Sequence, residues 1–160
     1  MPPRTTKSNE REVVNRKARH DYSIHDTLEC GIKLTGTEIK SIRDGQISLA
    51  EGFIRASDKP WGLTLHGVHI AEYPPAGPHR QHEATRTRSL LAHRREIKKL
   101  FTKTQQRGFT LVPLKLYFVR GRAKLLIGLG EGKRQSDKRN KLDKREAQRD
   151  IERALRRSKR

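Results

Sequence analysis

The sequence TLVPLKLYF, residues 110–118, is followed by VRGR at 119–122 and by AKLLIGL at 123–129. Both apolar runs are long enough for a strand and rich in the branched and aromatic residues that sheets favour. The basic link between them contains Gly121, which can take the positive φ that a tight hairpin turn requires. This stretch therefore predicts an antiparallel β-hairpin.

Shorter segments upstream indicate further strands. Residues 22–34 alternate imperfectly between apolar and polar, which predicts two short antiparallel strands. Residues 52–56 and 62–70 flank the turn sequence Ser-Asp-Lys-Pro at 57–60, which predicts another hairpin. The chain is therefore mainly β before its last hairpin.

Two segments favour helices. Residues 37–44 fit a strand or a short helix, but Thr37 as an N-cap and Gly45 as a stop favour the helix. The Pro- and Gly-rich residues 74–87 predict a loop. After this loop, Ser89 is expected to open a helix that Gly108 ends as C-cap. The apolar stripe of that helix comprises Leu90, Leu91, Ile97, Leu100 and Phe101.

Many short antiparallel strands with one helix inserted before the last pair indicate an OB-type closed antiparallel β-barrel. A ferredoxin-like sheet is less favoured, because only one long helix is predicted before residue 130. The chain divides into a flexible arm at residues 1–13, an OB-type domain at 14–132 and a basic tail at 133–160. Gly128, Gly130 and Gly132 are interpreted as a flexible exit from the last strand.

Composition indicates the kind of partner. Lysine and arginine number 37 against 18 aspartate and glutamate, which gives a formal net charge of +19. A compact domain with this charge repels itself, so a polyanionic partner is expected. The tail beyond residue 132 holds 13 basic and 5 acidic residues, a net charge of +8.

Little in the sequence indicates catalysis, a metal or a membrane. The GLGEGK sequence at 128–133 has three residues between its glycines, whereas a P-loop has four. The pairs His66/His69 and His79/His82 lack the clustered ligands of a zinc site. The single cysteine excludes an internal disulfide. The sequence also lacks a run of about 20 apolar residues, which a membrane-spanning helix needs. We expect a cytoplasmic binding protein with no catalytic residue, no cofactor and no metal.

Two basic segments are candidate RNA contacts. The segment NRKARH at 15–20 directly precedes the first predicted strand, so its cations are held near a folded surface where His20 and Tyr22 could stack on unpaired bases. The tail has helical spacing, with Ala147, Ile151, Ala154 and Leu155 on one face. Such a narrow stripe is too weak to hold a lone helix in water, so the tail is expected to become helical when bound.

Four ordered motifs carry a family resemblance: NRKARHDY at 15–22, LTGTEIKSIR at 34–43, PLKLY at 113–117, and GKR at 132–134 followed by DKR at 137–139. Together they resemble the SsrA-binding protein family, small protein B. The resemblance implies an OB-type barrel that binds the tRNA-like domain of transfer-messenger RNA. It also implies delivery to stalled ribosomes by elongation factor Tu with GTP, and a tail that enters the decoding centre and the empty mRNA channel.

The resemblance also assigns residues. It implies RNA contacts for Asn15 and the basic residues around it, Arg16, Lys17 and Arg19, for the acidic Glu29, and for Leu91, whose alternative is a plain core position. In the tail, it implies ribosome contacts for Gly132, Lys133, Arg134, Asp137, Lys138, Arg139, Ile151 and Leu155.

The sequence departs from the family pattern at Ser136, where a ring is common, and at His93, where Asn is common in some members. Stacking of a ring at position 136 on a decoding-centre base is therefore not available. The competing hypothesis is a ribosomal or general RNA-binding OB protein. Such a protein would bind RNA wherever phosphates are accessible, and its tail would contribute to all RNA binding.

Overall fold

The computed structural model describes residues 11–158, except for the side chains at 135, 138, 141, 157 and 158. The predicted arm therefore lies largely outside the described residues. The strands are β1 (Val13–Val14), β2 (Tyr22–Ile32), β3 (Ile47–Ser48), β4 (Phe53–Asp58), β5 (Trp61–His66), β6 (His69–Ile70), β7 (Arg88–Leu91), β8 (Phe109–Val119) and β9 (Arg122–Gly132). The helices are α1 (Arg16–Asp21), α2 (Gly36–Arg43), α3 (Arg94–Thr104) and α4 (Gln135–Ser158).

Six antiparallel strands form a closed ring in the order β8-β4-β5-β7-β2-β9, and β9 pairs again with β8. The short strand β1 pairs with β8 beside β4, and β3 pairs with β6 in a separate two-stranded sheet. Helix α3 is inserted between β7 and β8. This is the predicted OB-type barrel with its inserted helix.

The β8–β9 hairpin has the predicted Gly turn. Val119 pairs with Arg122, so Arg120 and Gly121 form a two-residue connection. Their φ values of 51° and 74° are both positive, as in the turns that match the twist of paired strands.

Strand β8 is buried on both faces. Leu111 and Leu116 point into the ring, whereas Val112 and Leu114 pack outside it against Ala18 of α1. Gly128 makes room for this outer layer, because a Cβ there would lie 2.8 Å from Leu114 Cδ1. The interpretation of the β9 glycines as a flexible exit was wrong: they belong to a strand that is paired through Gly132.

The helix predicted from Ser89 begins later. Residues 88–91 form β7, in which Leu90 pairs with Leu63 of β5 and Leu91 pairs with Gly31 of β2. The pairing of β7 with a strand on each of its two edges outweighs the helical spacing of its apolar residues. Helix α3 instead begins at Arg94, and the Glu96 carboxylate accepts a 3.0 Å hydrogen bond from the His93 backbone N–H. It ends at Thr104, before the predicted C-cap Gly108.

Other boundaries also moved. The two strands predicted at 22–34 are one strand, β2, because it pairs along its length with β9. Helix α2 is confirmed, but its N-cap is Thr35, whose backbone N–H donates to Glu38 at 2.8 Å. The predicted strand 62–70 is interrupted at Gly67, and β6 pairs elsewhere. The predicted arm reached residue 13, yet Val13 already pairs with Leu116.

Candidate nucleic-acid interface

Helix α1 is held to the barrel by Asn15, its N-cap. The Asn15 side-chain oxygen accepts from the Ala18 N–H at 3.1 Å, and Nδ2 donates to the carbonyls of Leu49 and Pro113 at 2.9 Å each. Its backbone N–H donates to Leu114 O at 2.8 Å. Asn15 is 4% exposed, so it positions α1 and offers no side-chain atom to an RNA.

The cations of α1 point outward. Arg16, Lys17 and Arg19 are exposed, and Lys17 Nζ lies 2.5 Å from Glu51 Oε1. His20 is half-buried, with Nδ1 2.9 Å from Asp21 Oδ1. We call Arg16, Lys17, Arg19 and His20 the α1 surface. Tyr22, also expected here, is half-buried and packs against Ala18.

The root of the tail is joined to the end of α1. The Lys133 backbone N–H donates to Asp21 O at 2.9 Å. The Lys133 ammonium group donates to the carbonyls of Arg19 and His20, at 3.1 and 3.4 Å. A cation at the C-terminus of a helix is favoured by the partial negative charge of the last carbonyls. Gly132 and Lys133, predicted as ribosome contacts, therefore lie beside the α1 surface.

Glu29 lies on the outside of the ring, within a small polar cluster. The Tyr117 hydroxyl donates a short hydrogen bond to Glu29 Oε2, and Lys124 Nζ lies 3.7 Å from Oε1. Burial, together with the adjacent carboxylate, raises the pKa of Tyr117 to about 12. The neighbours of Glu29 are thus a phenol and an ammonium group.

Leu91 lines a cleft of about 660 Å³ close to Glu29. It is 52% exposed, so the alternative of a plain core position was wrong, as was its placement on a helix. Apolar side chains from β2, α2, β9 and the β2–α2 link line the cleft together with three cations. The apolar residues are Ile32, Leu34, Ile39 and Ala123, and the cations are Lys33, Arg122 and Lys124. Sequence reasoning missed these three cations, because only the ring brings them together.

The predicted RNA contacts thus fall on two surfaces. Glu29, Lys33, Leu91, Arg122 and Lys124 form what we call the Leu91 surface. Glu29 lies seven positions after Tyr22 along β2, which corresponds to about 23 Å of strand. One RNA that contacts both surfaces must therefore follow the barrel over this length.

Helix α4 carries the rest of the predicted ribosome contacts. Asp137 lies in its first turn, where a carboxylate is favourable, and its backbone N–H donates to Arg134 O at 3.1 Å. Arg139 and Ser136 are exposed, and the Lys138 side chain is outside the described residues. Ile151 and Leu155, one turn apart, are 60% and 58% exposed.

Within residues 11–158, no group of three histidine, cysteine or acidic side chains is placed to hold a metal ion. Nor is any helix of that part long and apolar enough to cross a membrane.

Comparison with known proteins gives one consistent result. The family model described as SmpB protein matches residues 12–157. The SsrA-binding protein of Thermobifida fusca (strain YX) is 55% identical over 143 residues, which are 89% of this chain and 88% of the relative. That of Salinispora arenicola (strain CNS-205) is 54% identical over 152 residues, 93% and 94% of the two chains. A solved structure described as "tmRNA-SmpB: a journey to the center of the bacterial ribosome" is 44% identical, with a TM-score of 0.65 over 80% of this chain and 92% of that one.

Proposed function

This chain belongs to the SmpB family, and on that premise we propose that it binds transfer-messenger RNA and delivers it to stalled ribosomes in trans-translation. The observation that carries the proposal is the α1 surface: a cationic helix locked to the barrel by the buried Asn15. Cations fixed on a rigid body lose less freedom on binding than cations on a flexible chain. They therefore suit a folded RNA of defined shape.

The finer proposal is that the barrel recognises the tRNA-like domain with both surfaces. Arg16, Lys17 and Arg19 contact phosphates, as the family resemblance implies, while Asn15 acts by holding them in place. The cleft of the Leu91 surface is lined by apolar side chains and by cations, which suits an unpaired base with its phosphate. Glu29 accepts hydrogen bonds from Tyr117 or from a base edge.

The tail is proposed to act on the ribosome. Arg134, Asp137, Lys138 and Arg139 contact the decoding centre, and the face with Ile151 and Leu155 lies in the empty mRNA channel. These two aliphatic side chains are exposed, which supports the proposal that another molecule covers this face of the helix. Elongation factor Tu with GTP is the proposed delivery partner, and the GTPase chemistry belongs to that factor. The proposal places the protein in the cytoplasm and gives it no catalytic step.

Truncation of the tail tests this function against a generic RNA-binding role. Cutting the chain after Gly132 should leave the affinity for transfer-messenger RNA within about threefold, because both surfaces remain. The same cut should abolish peptide tagging on stalled ribosomes. A generic basic tail predicts the reverse, since loss of eight net positive charges would weaken binding to every RNA.

Two substitutions sharpen the test without removing charge. Ile151→Pro should abolish tagging, because proline inside a helix costs about 3 kcal/mol. Ile151→Leu keeps both the helix and the apolar surface and should retain tagging. Full tagging by Ile151→Pro would exclude a helical tail as the acting form.

A further inference from the structure

The α1 surface faces helix α4 across a cleft of about 730 Å³. Four cations and one histidine line it, from two elements that are far apart in sequence. From α1 come Arg16, Lys17, Arg19 and His20, and from α4 comes Arg145.

The charge in this cleft is only partly balanced by the protein. Glu51 pairs with Lys17, and Asp21 contacts His20 at the edge of the cleft. Arg16, Arg19 and Arg145 form no ion pair with any described residue, and no acidic side chain lines the cleft in the described part of the chain. Like charges that converge from two elements repel each other unless an anion lies between them.

Little else fixes the direction of α4. Its root is held by the hydrogen bonds of Lys133 to the end of α1. Beyond this root, every described side chain of α4 is exposed, so the helix gains no stability by burying apolar surface against the barrel. A contact at Arg145 would act about 15 Å along the helix from its first residue, and would therefore fix its direction.

We propose that this cleft is a phosphate site in which a backbone phosphate of the bound RNA bridges α1 to Arg145. The inference rests on the proposed function and adds a coupling between RNA binding by the barrel and the action of the tail. RNA binding by the barrel and α1 orders the first three turns of α4 and sets the direction of the tail. The guanidinium groups of Arg16, Arg19 and Arg145 suit the site, because arginine binds phosphate oxygens with two parallel hydrogen bonds.

The coupling predicts a small change in affinity but a measurable change in salt dependence. The energy gained at Arg145 is offset by the cost of ordering the tail, so Arg145→Gln should change the affinity for transfer-messenger RNA by less than about threefold. The slope of log affinity against log salt should fall in magnitude by about 0.7–0.9, which corresponds to one phosphate contact.

Distance measurement by electron paramagnetic resonance tests the ordering directly. Spin labels are attached at Thr102→Cys on α3 and Gln148→Cys on α4, both of which are exposed positions. Cys30 is buried and burial raises the pKa of its thiol to about 12, so it does not compete for the label. Saturating transfer-messenger RNA should narrow the distribution of distances between the labels.

Lys144→Gln is the matched control, because it removes the same charge from the same tail about 100° around the helix from Arg145. RNA binding should narrow the distribution of distances between the labels in Lys144→Gln but not in Arg145→Gln, although both variants bind the RNA. Equal narrowing in the two variants, or no narrowing in the parent at saturating RNA, would overturn the coupling. Failure of the parent to bind the RNA would overturn the proposed function itself.

Inorganic phosphate separates the two possible sources of the anion. Transfer-messenger RNA should narrow the distribution of distances between the labels at the concentration that saturates its binding to the protein. Inorganic phosphate should need concentrations that are orders of magnitude higher. Narrowing by inorganic phosphate without narrowing by RNA would overturn the assignment of the site to an RNA phosphate.

Discussion

The barrel and the tail use arginine in opposite ways. In the barrel, Arg88 is fully buried, with Nε 2.8 Å from Glu38 Oε1 and its other nitrogens donating to the carbonyls of Val68, Ala84 and Arg86. In the tail, every described arginine of α4 is exposed. Arg88 helps to fix the shape of the barrel, whereas the described arginines of the tail are exposed to another molecule. The shape of the tail must therefore come from what it binds.

The largest effect should come from Glu38, which also binds Arg86 at 2.5 Å. Glu38→Gln leaves Arg88 buried without a counter-charge, so the free energy of unfolding should fall by about 3–5 kcal/mol. Urea unfolding followed by the fluorescence of the single tryptophan, Trp61, measures this. Glu51→Gln, which removes an exposed partner of Lys17, should have little measurable effect. Equal losses in the two variants would contradict the contrast.

The same carboxylate should make the barrel sensitive to acid. Burial alone would raise the pKa of Glu38, but hydrogen bonds from Arg86, from the Thr35 backbone N–H and from Arg88 together lower it. A pKa that is lower in the folded state contributes stability at pH values above the unfolded pKa, and this contribution is lost as pH falls through the folded pKa. The parent should therefore become less stable as the pH falls below about 4.3. Glu38→Gln has no carboxylate at this position, so it lacks this contribution at every pH.

Asn15→Ala should have the next largest effect. It removes the N-cap of α1 and the side-chain hydrogen bonds that Asn15 donates to the carbonyls of Leu49 and Pro113, so the free energy of unfolding should fall by about 2–4 kcal/mol. RNA affinity should fall too, because α1 loses its fixed position. The salt slope should stay unchanged, since no phosphate contact is removed; a lower slope would indicate direct contact by Asn15.

Removing two cations of α1 should affect binding without affecting folding. Lys17→Ala with Arg19→Ala should lower the magnitude of the salt slope for transfer-messenger RNA by about 1.4–1.8, which corresponds to two phosphate contacts. Lys98→Ala with Arg107→Ala removes the same charge outside the two proposed surfaces. If both pairs change the slope equally, the binding is general electrostatic attraction and not recognition by α1.

The smallest effect on stability should come from the tail. Ile151→Pro should change the free energy of unfolding of the barrel by less than about 0.5 kcal/mol, because Ile151 lies in the tail and is 60% exposed. Circular dichroism should further find that the free chain loses little helix when residues 133–160 are removed. A large loss of helix would show that α4 is stable by itself and would weaken the contrast with the barrel.

Sequence reasoning succeeded where structure is local. The β8–β9 hairpin follows from two apolar runs around Gly121. Helix α2 follows from its stop at Gly45, although its N-cap is Thr35 and not the predicted Thr37. It failed at Ser89-Leu90-Leu91, where helical spacing was outweighed by pairing with two strands that are distant in sequence. The register of a closed ring is not contained in any local window.

The candidate site shows the same division. The cations of α1 could be found from composition. Identifying Asn15 as the N-cap of a helix that begins at Arg16 would have predicted the structural role of Asn15. The partners of Glu29 could not be found, because Tyr117 lies 88 residues away and reaches Glu29 only through the pairing of β2 and β8 with β9. The cleft at Leu91 likewise depends on three separate strands.

The closure of the ring by β9 also sets an order of events during synthesis. β9 pairs with β2 along one edge and with β8 along the other, and it is the last strand to be made. Until residues 122–132 leave the ribosome, both neighbours present open edges that can pair with other chains. A chain that stops before residue 122 therefore keeps the edges of both β2 and β8 exposed.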